Sequence, residues 1–423
     1  MNLTERDAKV IWHPYTQMLN STPIAISHAE GCYLYDENGQ QYIDAVSSWW
    51  VILHGHSHPY IVAQVTAQLK KLDQVIFAGF THEPAIALAE TLLSILPANQ
   101  EKVFYTDNGS TAVEVALKMC LQYWYNKNLP RKKVLAFHDG YHGDTFGAMS
   151  VSGRSAWTSP FESHLFDVVF IDLPNPGNLD GLKKQVSALS NSLACFIYEP
   201  LIQGSAGMIM YAAEELDQLL AHCRDCGVLM IQDEVFTGFG RTGKNFAADY
   251  LSTAPDLMCF SKGLTGGTMP LGVTTCTQHV YDAFLSSDKL KTLFHGHSFT
   301  ANPLACTAAL ASIQLLLKKE TQDHIQRISR QHQKFAESIA GHPKIKKVKR
   351  LQQTGTILAI EWAAEGGTSY FSGLRDQLYT YFLNHHILMR PLGNVIYILP
   401  PYCISDADLA YIYQTISDAL HTI

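Results

Sequence analysis

Three short segments carry residue types suited to holding a phosphate, protonating a ring nitrogen and forming an imine. Thr106-Asp107-Asn108-Gly109-Ser110-Thr111 lies between a strand-like run, Lys102–Tyr105, and a helical pattern starting near Ala112. A small glycine-containing turn that opens a helix presents unpaired N–H groups with the positive end of the helix dipole behind them. Gly109 and Ser110 could therefore bind an anion such as phosphate. An ordinary helix cap has the same composition, so this segment alone leaves both readings open. Gln232-Asp233-Glu234-Val235 closes another run, Val228–Ile231. A carboxylate at the end of a buried strand is costly unless a cation or donors meet it. A protonated ring nitrogen is one such partner; a structural ion pair or a cap is another. Ser261-Lys262-Gly263 ends a third run, Leu257–Phe260. A lysine held that close to the interior should lose its proton more readily than a surface lysine, which favours imine formation. In chain order the three read as phosphate cup, pyridinium partner and Schiff-base lysine, the parts of a pyridoxal-5′-phosphate (PLP) site.

These segments need a scaffold that brings strand ends together. From about residue 100 to 275, the runs Lys102–Tyr105, Val134–His138, Val168–Ile171, Ala194–Glu199, Val228–Gln232, Leu257–Phe260 and Leu271–Thr275 read as buried strands. Helical patterns at Thr111–Tyr125, Leu179–Leu189 and Glu214–Cys226 lie between several of them. Apolar strands alternating with helices predict an α/β fold with a mainly parallel sheet covered on both faces. Ligands in such sheets bind beyond the carboxyl ends of the strands. After Asn302-Pro303 the pattern becomes α+β: long helices to about Ala340, strands near Thr356–Trp362 and Val395–Leu399, and helices near Leu374–Asn384 and from Asp406. A hairpin, Cys32–Tyr35 with Gln41–Asp44 around Glu37-Asn38-Gly39, stands near the other end. The two ends are expected to form one small domain (residues 1–50 and 311–423) beside a large domain of residues 51–310.

Composition narrows the class. A chain of 423 residues with 47% apolar and 16% charged residues is long enough for two globular domains and unlike a disordered one. Its net charge of −7 gives no general reason to bind nucleic acid or an anionic membrane. The basic clusters Arg131-Lys132-Lys133 and Lys346-Lys347-Val348-Lys349-Arg350 are short enough to be solvated faces. The start of the chain is charged from residue 5 and lacks the apolar core of a signal peptide. Pro303 to Leu317 is too short and too polar for a membrane span and reads as a buried helix. Nine scattered cysteines do not resemble a disulfide framework. A cytoplasmic enzyme is expected.

Other motifs have plainer readings. Gly238-Phe239-Gly240-Arg241-Thr242-Gly243 fits G-x-G-x-x-G, but it does not directly follow a first strand, and Asp249 and Asp256 are the next acids. Nicotinamide dinucleotide binding is not expected there. His54, His56 and His58 alternate like strand ligands, yet Gly55 and Pro59 favour a turn, and no metal is expected. Cys223-Arg224-Asp225-Cys226 sits late in a helix with no second pair and reads as structural.

The sequence resembles the fold-type I, class III aminotransferases nearly end to end. Asp233-Glu234-Val235-Phe236-Thr237-Gly238-Phe239-Gly240-Arg241-Thr242-Gly243 and Ser261-Lys262-Gly263-Leu264-Thr265-Gly266-Gly267 carry the likeness most strongly, with Gly140-Tyr141-His142-Gly143-Asp144-Thr145. Trp12-His13-Pro14-Tyr15-Thr16 and Ser47-Ser48-Trp49-Trp50 resemble the members that work in biotin biosynthesis. The resemblance implies amination of 8-amino-7-oxononanoate to 7,8-diaminononanoate with S-adenosylmethionine as donor. Another ω-aminotransferase activity, or the same acceptor with lysine as donor, stays open. It further implies PLP bound through Lys262, with Asp233 at the pyridine nitrogen, Gly109 and Ser110 at the phosphate and Tyr141 on the ring face. Tyr15 and Trp49 would shape the substrate pocket, Tyr15 also taking part in catalysis, and Tyr141 and Gly296 would touch substrate. Arg390 would bind the acceptor carboxylate. Where the class typically reads His-Gly-Pro-Thr-Phe, this chain has His295-Gly296-His297-Ser298-Phe299. Ser298 keeps the hydroxyl expected to reach the phosphate of a neighbouring subunit in a homodimer, and His297 brings a bulkier, titratable group beside it.

Overall fold

The seven runs between residues 100 and 277 form one sheet, ordered in space Gln100–Thr106, Gly272–Thr277, Leu257–Phe260, Leu229–Asp233, Leu193–Tyr198, Lys133–Phe137, Val168–Ile171. The computed structural model describes residues 1–129, 131–340, 347–363 and 373–423; Lys346 of the basic cluster lies outside the described residues. Gly272–Thr277 is antiparallel to both its neighbours, and the other pairings are parallel. The inner strands Leu193–Tyr198, Leu229–Asp233, Leu257–Phe260 and Gly272–Thr277 are buried at every residue, whereas the two edge strands are partly exposed.

Alternate residues of these strands feed two different cores, as a two-residue repeat dictates. Cys195, Ile197, Leu229, Ile231, Leu257 and Cys259 pack with Ala112, Val113, Ala116 and Cys120 of the helix Gly109–Asn126. Phe196, Tyr198, Met230, Met258 and Phe260 point the other way, into the core that holds Leu216, Leu219, Leu220 and Cys223 of the helix Ala213–Asp225. Both helical sets recur at three- and four-residue spacing, so each helix presents one apolar stripe.

The helix at the presumed cup begins at Gly109, earlier than the expected Ala112. Asn108 Oδ1 accepts the Thr111 N–H at 2.9 Å and caps it, which releases Gly109 and Ser110 into the first turn. The terminal segments meet as well. Ile26–Glu30, Tyr33–Asp36 and Gln41–Asp44 form an antiparallel meander, and Ile387–Leu388 adds to its last strand in parallel. A separate three-stranded sheet joins Val348–Thr354, Ile357–Trp362 and Val395–Ile398. Pro303–Leu316 is a mostly buried helix. Among the described residues no helix is long and apolar enough to cross a membrane.

Candidate active site

Asp233 ends its strand with 4% of its surface exposed. One carboxylate oxygen accepts the Val235 N–H at 3.0 Å, and the other lies 2.7 Å from Nδ1 of the buried His142. The acid thus keeps one face free while its orientation is fixed from two sides. On the adjacent strand, Ser261 donates to the Leu271 carbonyl at 2.7 Å, and Lys262 follows in left-handed backbone, φ 45°. Its ammonium lies 4.4 Å from the Trp50 ring centroid and 5.7 Å from that of Phe236. It makes no hydrogen bond or ion pair with any described residue. Burial brings its pKa down to about 8, against the opposing pull of Asp233 and Glu199. Glu199 is buried and accepts the N–H groups of Tyr141 at 2.8 Å and Gly204 at 3.0 Å; burial pushes its carboxyl up to about 7.

The cup stands beside this pair. Ser110 Oγ accepts the Asp144 N–H at 3.3 Å. Gly143 adopts φ +130°, and a Cβ there would collide with Ser110. A Cβ on Gly109 would press on Val235 at 2.8 Å. Close packing thus requires glycine at both places, beside the start of an 18-residue helix, whose first N–H groups favour an anion.

A cavity of about 400 Å³ opens above, lined by Tyr15, Trp49, Trp50, Tyr141, Lys262 and Arg390 among others. Tyr15 donates to Asp144, and its ring meets Trp49 edge-on at 5.7 Å. The Arg390 guanidinium lies 4.4 Å over the Trp49 ring and makes no hydrogen bond or ion pair with any described residue. Tyr15, Ser47, Ser48 and Trp50 share left-handed backbone with Lys262, at φ 52–68°. Such conformations cost about 1–3 kcal/mol each in non-glycine residues, and packing must hold them.

Of the expected site residues, Tyr15, Trp49, Tyr141, Lys262 and Arg390 line one chamber; Ser110 meets its wall at Asp144, and Asp233 is close enough to Lys262 to act on its charge. Gly296, His297 and Ser298 do not join it. Gly296 and Ser298 are exposed, the Ser298 carbonyl accepts from Gln74, and His297 Nδ1 accepts the Phe299 N–H at 3.2 Å. The G-x-G-x-x-G stretch opens no helix. Its Arg241 is 1% exposed and donates to the carbonyls of Pro400 at 3.1 Å and Ile52 at 3.2 Å, with longer contacts to Leu399 and Trp50. His54 contacts Ser312, His56 contacts Asp44, and His58 caps the helix Pro59–Leu69. Cys223 is buried in its helix, and Cys226 caps it.

Sequence reasoning left His142, Glu199, Trp50 and Asp144 without roles. His142 and Asp144 lie in a quoted motif, so their signal was present. The pairing of His142 with an acid 91 positions away was not.

The family model described as "Aminotransferase class-III" matches residues 15–420. Adenosylmethionine-8-amino-7-oxononanoate aminotransferase of Synechococcus elongatus is 45% identical, covering 98% of this chain and 99% of its own. The enzyme of that name from Geobacter sulfurreducens is 36% identical over 100% and 98%. Among solved structures, the Methanocaldococcus jannaschii enzyme of that name superposes with TM-score 0.94 at 35% identity, covering 99% of this chain and 98% of that one. An omega transaminase from Pseudomonas jessenii, solved in complex with PMP, gives TM-score 0.92 at 25% identity over the same shares. A family match over residues 15–420, with relatives 45% and 36% identical over nearly the whole chain, leads to one conclusion: the chain belongs to the class III aminotransferases.

Proposed function

We propose that the chain aminates 8-amino-7-oxononanoate to 7,8-diaminononanoate, a step of biotin biosynthesis, with S-adenosylmethionine as donor and PLP as cofactor. The names of its relatives at 45% and 36% identity support the acceptor and donor. The observation that carries the reading is an uncommitted lysine amine in the same chamber as an uncommitted guanidinium. The residues present fit PLP: a helix start of Gly109 and Ser110 for a phosphate, a fixed buried carboxylate for a ring nitrogen, and an amine with no acceptor among the described residues for an aldehyde. When bound, the cofactor supplies a carbonyl for amine exchange and an electron-poor ring that stabilises charge at the substrate carbon.

The chain's own residues do the rest. Lys262 holds the cofactor, and its amine takes and returns the proton at the substrate carbon; a pKa near 8 suits both directions near neutral pH. Gly109 and Ser110 hold the phosphate. Asp233, oriented by His142, would keep the ring nitrogen protonated, and Tyr141 would pack against the ring. Tyr15 and Trp49 shape the substrate pocket, Tyr15 fixing it through Asp144. Arg390, held over the Trp49 ring, offers its guanidinium to the acceptor carboxylate. Gly296, His297 and Ser298 serve the site of a second subunit in a homodimer. In support, Gly296 and Ser298 are exposed beside exposed Phe294 and Phe299, with His297 half-buried between them. Residues 51–310 act as the large domain, and 1–50 with 311–423 as the small one. The strand pairing of Ile43 and Asp44 with Ile387 and Leu388 supports that joining of the ends. The chain's location is the cytoplasm, in keeping with nine cysteines scattered along the sequence without the spacing of a secreted disulfide framework.

The test is a donor screen on the purified enzyme with 8-amino-7-oxononanoate as acceptor, each half-reaction followed by stopped flow. Turnover with S-adenosylmethionine is expected. Turnover only with lysine or another amine would replace the donor, and no reaction of the acceptor would overturn the reading.

A further inference from the structure

All nine cysteines are free thiols, and Cys403 is the exposed one. Its Sγ lies 3.3 Å from that of Cys32, which is 3% exposed and 371 positions away in sequence. Cys32 sits in the turn between Ile26–Glu30 and Tyr33–Asp36, and Cys403 between Val395–Ile398 and the final helix, Asp406–Thr422. Both stretches of backbone are anchored. The Cys32 carbonyl accepts the Asp44 N–H at 2.8 Å, and the neighbouring Tyr33 hydroxyl donates to Asp408 at 2.7 Å. Tyr402 N–H donates to Leu53 at 2.7 Å, and Ile404 N–H to Pro401 at 3.1 Å. Gly55 backs the exposed sulfur, because a Cβ there would stand 2.7 Å from Cys403 Sγ. The two sulfurs are therefore held against one another by groups that need not move if they react. A bond needs them at about 2.05 Å, a closure of little more than an ångström.

We infer that Cys403 and Cys32 form a peroxide-responsive dithiol, a modification site in which an accessible thiol reacts and a buried one resolves it. The Cys403 thiolate attacks the O–O bond of a hydroperoxide, giving a sulfenic acid and releasing water or an alcohol once a proton is taken up. The Cys32 sulfur then attacks the Cys403 sulfur; the S–O bond breaks and hydroxide leaves, taking the Cys32 proton as water. With hydrogen peroxide, two thiols become one disulfide and the peroxide becomes two waters. The polarity of the pair matches these roles. The hydrogen bond from Cys32 lowers the Cys403 thiol, with help from Arg327, while that bond and burial raise Cys32. The cross-link would join the first strands of the chain to the approach of its last helix. It would also restrict the unfolded chain over almost its whole length.

The experiment treats the holoenzyme with hydrogen peroxide, quenches in acid, alkylates under denaturing conditions and maps peptides. Expected are the loss of two titratable thiols, a Cys32–Cys403 linked peptide, reversal by dithiothreitol and a melting temperature raised by several degrees. Cys403→Ser should abolish the linkage and the shift, and Cys226→Ser should keep both. In Cys32→Ala, Cys403 should stop at a sulfenic acid that dimedone traps. Cys403 recovered as sulfinic or sulfonic acid with Cys32 still alkylatable would overturn the pairing. So would a cross-link between two chains through Cys403 on a non-reducing gel.

Discussion

The floor of the chamber and the glycine-rich loop beside it each hold a cation away from bulk water, and they treat it in opposite ways. In the loop, the terminal nitrogens of Arg241 are given to the backbone carbonyls of Trp50, Ile52, Leu399 and Pro400, stitching distant segments together. On the floor, Lys262 has aromatic rings around it and no acceptor among the described residues. A cation whose donors are spent is structural; one whose donors are unspent is kept for a ligand. Arg390, resting on Trp49 with no acceptor among the described residues, belongs with Lys262 by that criterion.

The largest effect is expected at the floor. Lys262→Ala should lower turnover by about 10³-fold or more while leaving the melting temperature nearly unchanged, because no described hydrogen bond is lost. Borohydride reduction of the wild type should leave the cofactor on this lysine alone by peptide mapping; recovery elsewhere would break the comparison at its centre. Arg241→Met should do the reverse. Carbonyls left without donors cost ~1–3 kcal/mol each, so denaturant unfolding should show a loss of about 3 kcal/mol or more. The folded fraction should keep a larger share of activity than Lys262→Ala does.

Arg390→Ala sharpens the criterion. Loss of a charge-assisted contact worth roughly 2–4 kcal/mol should cut kcat/KM for 8-amino-7-oxononanoate by roughly 30- to 1000-fold. The S-adenosylmethionine half-reaction should fall less. Equal losses in both would mean a shared carboxylate site, and no loss in either would move Arg390 to the structural group. The smallest effect is in pH. The cofactor-free protein should take up PLP at a rate that rises with pH and levels off just above 8, since only the neutral amine attacks; an ordinary lysine would level off above 10. Because the folded pKa lies below the unfolded one, the unfolded chain binds more protons between about 8 and 10. Stability of the cofactor-free protein should therefore rise with pH across that window.

The site was legible where its chemistry follows local pattern. Asp233 and Lys262 each end an apolar run, and the small glycine-containing turn at Gly109 marks the approach of a helix, though not its first residue. What could not be read was which way a side chain turns. Trp49 and Trp50 are adjacent, yet the left-handed backbone at Ser47, Ser48 and Trp50 sends one ring to Arg390 and the other, 5% exposed, to Lys262. His142 reaches Asp233 only because the sheet brings their segments together. Among the strands, the seven apolar runs were plain, but their directions were not. The strand Val348–Thr354 escaped notice because Lys349, Arg350, Gln352 and Gln353 hide any alternation. The helices Pro59–Leu69 and Glu83–Leu93 carried a readable signal, a proline in the first turn.

The antiparallel strand Gly272–Thr277 has a further consequence, in time rather than space. Among the described residues it is the one neighbour of Gln100–Thr106 in the sheet, so during synthesis the earlier strand waits for its partner, which arrives 166 positions later. At ribosomal speeds that interval is on the order of 10–30 s. Throughout it the segment that leads into the cup can pair with the wrong chain. Glu101 and Lys102, both exposed, place opposite charges on that waiting strand and blunt it against its copies. Yield on refolding should accordingly fall as protein concentration rises, more steeply once these two charges are replaced by valine.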